Sequence, residues 1–191
     1  MKNFLSWIIK AGLSFVLLCL VLGSCKSSLK EDANTQQSTG NILLDNLRKV
    51  SASGQPVANG IEINGVGGIK VTAAFLMLET GELIYGPQNN IKPGDKIRLL
   101  MQIDGWLDDG GKVAVGAGQV LTNSDHRVMI KEPDLFAGAG PLPKEDASYI
   151  SLLMEVLNLE KIYDYYQVDF TVWNKQENQK LHGRYRFKIK Q

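Results

Sequence analysis

The chain has 191 residues, 44% of them hydrophobic, and a formal net charge of +1. Basic and acidic residues nearly balance, at 21 and 20, which removes the electrostatic footing for a nucleic-acid partner. The length suits one domain with an extension, large enough to be held by its own core without disulfides or metals.

The start reads as a targeting segment. Lys2 and Lys10 make a positive n-region, and residues 11–22 form an apolar run. That run has the length of a secretory h-region and is too short to span a bilayer as a helix. The small residues Gly23 and Ser24 follow, then Cys25.

Leu22-Gly23-Ser24-Cys25 resembles the lipobox of bacterial lipoproteins. The resemblance implies that residues 1–24 are a signal peptide, that the Cys25 thiol carries diacylglycerol, and that Cys25 becomes the mature N-terminus. Fatty acyl chains such as palmitate, at about 0.8 kcal/mol per buried CH₂, would then hold the protein on a membrane. Lys26 stands where aspartate retains many such proteins in the inner membrane, so the resemblance implies an outer membrane lipoprotein, facing the periplasm or the surface. Loss of Lys2 and Lys10 takes the formal charge from +1 to −1. Cys19 leaves with the signal peptide, so the mature chain holds one modified cysteine and no disulfide.

Residues 25–58 read as the lipidated cysteine and a flexible, polar tether. Within it, residues 42–50 place Leu43, Leu44, Leu47 and Val50 on one side at helical spacing, with Asn41 as a cap. A short helix fits, and so does a strand.

Residues 59–191 carry the texture of a β domain. Residues 69–78, "IKVTAAFLML", are apolar on both faces and predict a strand buried between layers. "ETGE" turns it, and "LIYG" pairs back. Pro93 and Gly94 suit the centre of a type II turn, ahead of a strand over 96–103. "DDGG" at 108–111 predicts a hairpin turn, followed by strands over 112–121 and 127–131. Residues 132–147, with three prolines, read as one long loop. Residues 148–162 fit strand and helix alike, with the alternation of Ile150, Leu152, Met154 and Val156 favouring strand.

The last two strands are the clearest. Tyr166, Val168, Phe170 and Val172 alternate over 165–174, and Leu181, Tyr185, Phe187 and Ile189 over 180–190. "KQENQ" closes the hairpin between them, and the opposite face of the last strand is basic, which would discourage edge-to-edge pairing if the strand lies at a sheet edge. The expected fold is therefore mainly all-β, an antiparallel two-sheet β-sandwich with one short N-terminal helix. The final hairpin resembles strands F and G of immunoglobulin-like and fibronectin-like domains. The resemblance implies that Tyr166 anchors a corner and that Val168 points into the core where antibody domains carry cysteine.

No catalytic constellation emerges. His126 and His182 lack metal-ligand spacing and read as residues of solvated strand faces. Asp104, Asp108 and Asp109 crowd near glycines, but Val115 stands where an EF-hand needs glutamate, so a turn accounts for them better. No Gly-x-Ser-x-Gly elbow is present, and the lipobox resemblance implies that no free thiol survives maturation. Gly116 and Gly118 miss the phosphate-cradle pattern and suit close packing in a strand.

Aromatics near strand ends remain: Trp106, Tyr163, Tyr165 and Trp173 are the candidate ligand-binding residues, with Trp106 first and residues 136–142 as its neighbour. The favoured function is a non-catalytic, lipid-anchored envelope protein acting as a binding or assembly module, with no metal and no cofactor. Its partners would be the membrane, through Cys25, and an envelope protein or glycan. The alternatives are a surface carbohydrate-binding accessory protein and an envelope hydrolase using dispersed carboxylates.

Overall fold

The computed structural model describes residues 57–84, 88–155 and 161–190. The lipobox, the tether up to residue 56 and the helix expected over 42–50 lie outside the described residues, and so do residues 156–160.

The strands are β1 (Glu62–Val66), β2 (Lys70–Leu78), β3 (Asn90–Ile91), β4 (Lys96–Asp104), β5 (Lys112–Val113), β6 (Val115–Asn123), β7 (Val128–Glu132), β8 (Leu142–Pro143), β9 (Tyr149–Glu155), β10 (Tyr166–Asn174) and β11 (Lys180–Ile189). A single helical turn, α1 (Lys144–Ala147), precedes β9. The larger sheet runs β1-β11-β10-β6-β7, with β3 alongside β11, and the smaller runs β2-β4-β9. The short β5 and β8 pair separately.

One core joins the two sheets. Ile97, Leu99, Met101 and Ile103 of β4 and Ile150, Leu152 and Met154 of β9 meet Val168, Phe170 and Val172 of β10 and Leu181, Phe187 and Ile189 of β11. Period-two alternation supplies each set, because successive strand residues point to opposite faces. Each fully buried side chain of this kind contributes about 1.5–3 kcal/mol. The same alternation decides β9: Ile150, Leu152 and Met154 take the core side, so strand wins over helix through Glu155.

The arrangement is that of an immunoglobulin-like sandwich. Strands β2-β4-β9 take the places of A, B and E, and β11-β10-β6-β7 those of G, F, C and C′. The expected corner is present: the buried Tyr166 hydroxyl donates to the Lys161 carbonyl (3.4 Å) and accepts from the Tyr163 N–H (3.3 Å). Val168 is buried in the core position two residues on. Gly94 has φ +85°, as the type II turn before β4 requires.

Strand β2 is indeed apolar on both sides. Its inner face joins the main core, while Ala73, Phe75 and Met77 form a second buried cluster with Leu100 of β4, against which Ala58 and Leu83 pack. Val57 and Ala58, assigned to the tether by the sequence, already join the fold: Val57 bridges Ala74, and the Ala58 N–H donates to the Ala74 carbonyl (2.9 Å).

Two expectations need correction, and a third question, whether the basic last strand lies at an edge, is settled: it does not. β11 lies between β10 on one side and β1 and β3 on the other. Its arginines have partners there: Arg184 donates to Glu62 (2.8 Å), and Arg186 donates to Gln167 (2.9 Å). The strand expected over 112–121 breaks at Ala114, whose carbonyl accepts from the Lys175 N–H (2.7 Å) instead of continuing the ladder. The loop expected over 132–147 contains β8 and α1. Lys144, Glu145, Asp146 and Ala147 are tolerant of helix, with two carboxylates in the first turn, where the helix end favours negative charge.

Candidate binding groove

The leading aromatic candidate is withdrawn by its own packing. Trp106 is 2% exposed. Its indole N–H donates to the Ala147 carbonyl at 2.9 Å, so both the ring and its polar edge are satisfied internally. The flanking chain holds it there: the Leu107 N–H donates to Gln179 Oε1 (2.7 Å), and the Leu107 carbonyl accepts from Asn174 (2.9 Å). Trp106 closes the end of the core and offers no platform to a ligand.

Tyr163 and Tyr165 lie at the other end of β10 from Trp173, roughly 26 Å away along an extended strand. Tyr163 packs against the core with the Lys161 ammonium 4.8 Å from its ring centre. Tyr165 carries the Arg186 guanidinium at the same distance. The four candidates therefore do not converge.

Trp173 is different. Gln167, Asp169, Thr171 and Trp173 form the outward row of β10. The register places Trp173 between Gly116 of β6 and Lys180 of β11. A Cβ built on Gly116 would run into Cε2, Cζ2 and Nε1 of the indole, so the ring is seated on bare backbone that only glycine leaves open. Two residues along, a Cβ on Gly118 would meet the Pro133 carbonyl oxygen at 2.8 Å. Strand β6 is thus stripped of outward side chains at its start, and a trough opens over it.

That trough is an open groove of about 580 Å³ on the outer face of the larger sheet. Trp173, Thr171 and Asp169 form one wall, 131–133 at the end of β7 another, and 177–180 in the β10–β11 turn closes one end. Its charged side chains are mixed: Lys131 and Lys180 against Glu132, Asp169 and Glu177.

The β7 wall is held by Asp134. Its Oδ1 accepts from the Phe136 N–H (2.9 Å) and the Ala117 N–H (3.3 Å), and its Oδ2 pairs with Lys175 Nζ (2.8 Å). Lys175 also donates to the Phe136 carbonyl (2.9 Å). Burial pushes the Asp134 carboxyl up, but the Lys175 ammonium and the two N–H groups outweigh it and leave the group below its ordinary range.

The other end is held by Gln179, which the sequence does not mark. Its amide donates to the carbonyls of Gly105 (2.7 Å) and Gly67 (3.0 Å) while accepting from Leu107. An analogous pair, Asn59 and Asn89, joins the start of the fold to β11: Asn59 donates to Asn89 Oδ1 (3.0 Å), and Asn89 donates to the Arg186 carbonyl (2.7 Å). The signal for these residues is only an amide side chain in a turn, which is too common to single them out.

Other candidate chemistry is accounted for locally. Asp108 accepts from the Gly111 N–H (2.9 Å) and pairs with Lys144 (2.6 Å), as a turn residue does. His182 lies 3.2 Å from the Thr171 hydroxyl on the exposed face, far in the chain from His126. Among the described residues no group of three or more His, Cys, Asp or Glu side chains is placed to hold a metal ion.

No protein-family model matches the chain, and no curated protein sequence matches it. Among solved structures, the chain is similar to the C-terminal domain of wzt, with 12% identity over 71% of this chain and 81% of that one, at a TM-score of 0.46. It is also similar to a Niemann-Pick type C2 protein from Japanese carpenter ant, with 14% identity over 68% of this chain and 98% of that one, at a TM-score of 0.42.

Proposed function

We propose that the protein is a non-catalytic binding or assembly module of the bacterial envelope, anchored through lipid on Cys25 at the outer membrane. The groove beside Trp173 is its contact surface. The observation that carries this is a partly exposed indole seated on glycine backbone in an open groove on the outer face of the larger sheet. Large aromatic side chains left on a surface beside a concavity are the usual anchors of recognition. The anchoring rests on the run from Lys2 to Cys25, whose charge, apolar length, small pair and cysteine follow in the order that lipidation needs. The carboxylates at the groove are exposed, and Asp169 accepts from Gln167 (3.0 Å), an arrangement suited to contact rather than to proton transfer.

The test is crosslinking and affinity capture of the lipidated protein from its native envelope. Recovery of a defined partner, lost in Trp173→Ala and kept in Trp106→Phe, supports the reading. Capture indifferent to Trp173 removes the groove from it. Metabolic labelling with a fatty acid analogue checks the anchor: a Cys25→Ser variant that labels as the wild type does overturns it.

A further inference from the structure

We propose that the groove takes an uncharged pyranose glycan, with the apolar face of one sugar ring lying on Trp173. The proposal rests on the groove being the contact surface and names the chemistry of what it contacts.

Stacking comes first. One side of the indole is pressed on the Gly116 backbone, and the ring also lines the groove, where a flat, weakly apolar partner can lie against it. A pyranose presents such a face through its C–H groups, while its hydroxyls project sideways. Groups to meet them stand along the same row: Thr171 two residues away and Asp169 four away, roughly 7 and 13 Å along the strand. Those spacings suit successive rings of a chain better than one compact molecule. The volume of about 580 Å³ lies within the range of small-ligand sites, about 300–1,000 Å³.

Charge then narrows the class. Two lysines face three carboxylates, so a polyanion gains no attraction here. The mixture of donors and acceptors among the lining side chains matches hydroxyl groups, which both give and take hydrogen bonds. Finally, the walls are set in advance by Asp134 with Lys175 and by Gln179, so binding orders little of the protein.

The experiment uses the full lipidated chain in a detergent without a sugar headgroup. It is screened against a glycan array containing neutral gluco-, manno-, galacto- and N-acetylglucosamine tetrasaccharides, the host's own envelope oligosaccharides, and polygalacturonate as the anionic control. Hits are titrated by calorimetry and tryptophan fluorescence. The expected result is a neutral oligosaccharide bound with Kd below about 1 mM, weakened at least tenfold in Trp173→Ala and partly restored in Trp173→Phe. Trp106→Phe binds as wild type. A silent array overturns the inference, as does a preference for polygalacturonate or binding unchanged in Trp173→Ala. If the array is silent while envelope capture of a protein still depends on Trp173, the contact surface stands and only its glycan falls. If both are silent, both fall.

Discussion

Replacing Gln179 by alanine tests whether side-chain amides hold the groove end of the sandwich together. The residue is 2% exposed and grips three backbone groups from two other turns: the carbonyls of Gly67 and Gly105 and the N–H of Leu107, at 2.7–3.0 Å. A net value of about 1 kcal/mol per bond gives a loss of about 3 kcal/mol. The penalty does not climb to the full cost of dry, unpaired groups, because Gly67, Gly105 and Leu107 are themselves exposed and water can reach them. For a domain of this size the loss corresponds to a fall in Tm of roughly 10 °C. Urea unfolding followed by near-ultraviolet circular dichroism measures it, with Gln176→Ala, an exposed neighbour in the same turn, as the control expected within about 0.5 kcal/mol. Gln179→Glu keeps an acceptor for Leu107 but sets a negative charge against two carbonyls, so it destabilises at neutral pH and recovers on acidification. If Gln179→Ala unfolds with its control, the amide is a bystander and the argument for a pre-set groove end fails.

Asp134→Asn removes the charged partner of Lys175. The carboxyl is held below the ordinary aspartate value of 3.8, so its contribution is present above that value and is lost as pH falls through the lowered one. The variant is therefore less stable by about 1 kcal/mol at pH 7, and the gap to wild type in thermal melts closes at acid pH. Gly116→Ala forces the indole off its seat, which shifts tryptophan emission and costs about 1–3 kcal/mol in chemical denaturation. Trp106→Ala empties the end of the core at a cost of about 3–5 kcal/mol by the same measurement. Tyr166→Phe leaves the Tyr163 N–H without its acceptor and lowers stability by about 1 kcal/mol, read as a shift in urea midpoint.

Much of this architecture is written in short-range pattern. The two-sided apolar run of β2, the alternation in β10 and β11 and the tyrosine ahead of Val168 suffice to read two facing sheets and the hairpin between F-like and G-like strands. What escapes is whatever depends on the order of strands across a sheet. Nothing in residues 180–190 says that Glu62 will flank Arg184, so the sequence leaves open whether the basic face lies at an edge. Trp106 follows a glycine turn, where covering a sandwich end and meeting a ligand both fit the sequence, and only the carbonyl of Ala147, 41 residues on, beside its N–H decides for the first. The groove shows the same divide. Trp173 as an aromatic and Gly116 as a site of close packing are each legible, but only the β6–β10 register puts one on the other.

The position of β11 has a consequence for how the chain reaches this state. Residues 180–189 pair with β10 along one side and with β1 and β3, about a hundred residues earlier, along the other. Until that segment is available, β1 and β3 have no strand to pair with and β10 is paired on its β6 side alone, and loop closure must be paid before the seam can form. High contact order of this kind puts folding on the millisecond-to-second scale. A chain interrupted before residue 180 would leave β1 and β3 unpaired and the inner faces of β2, β4 and β9 without the Leu181, Phe187 and Ile189 side chains that cover them.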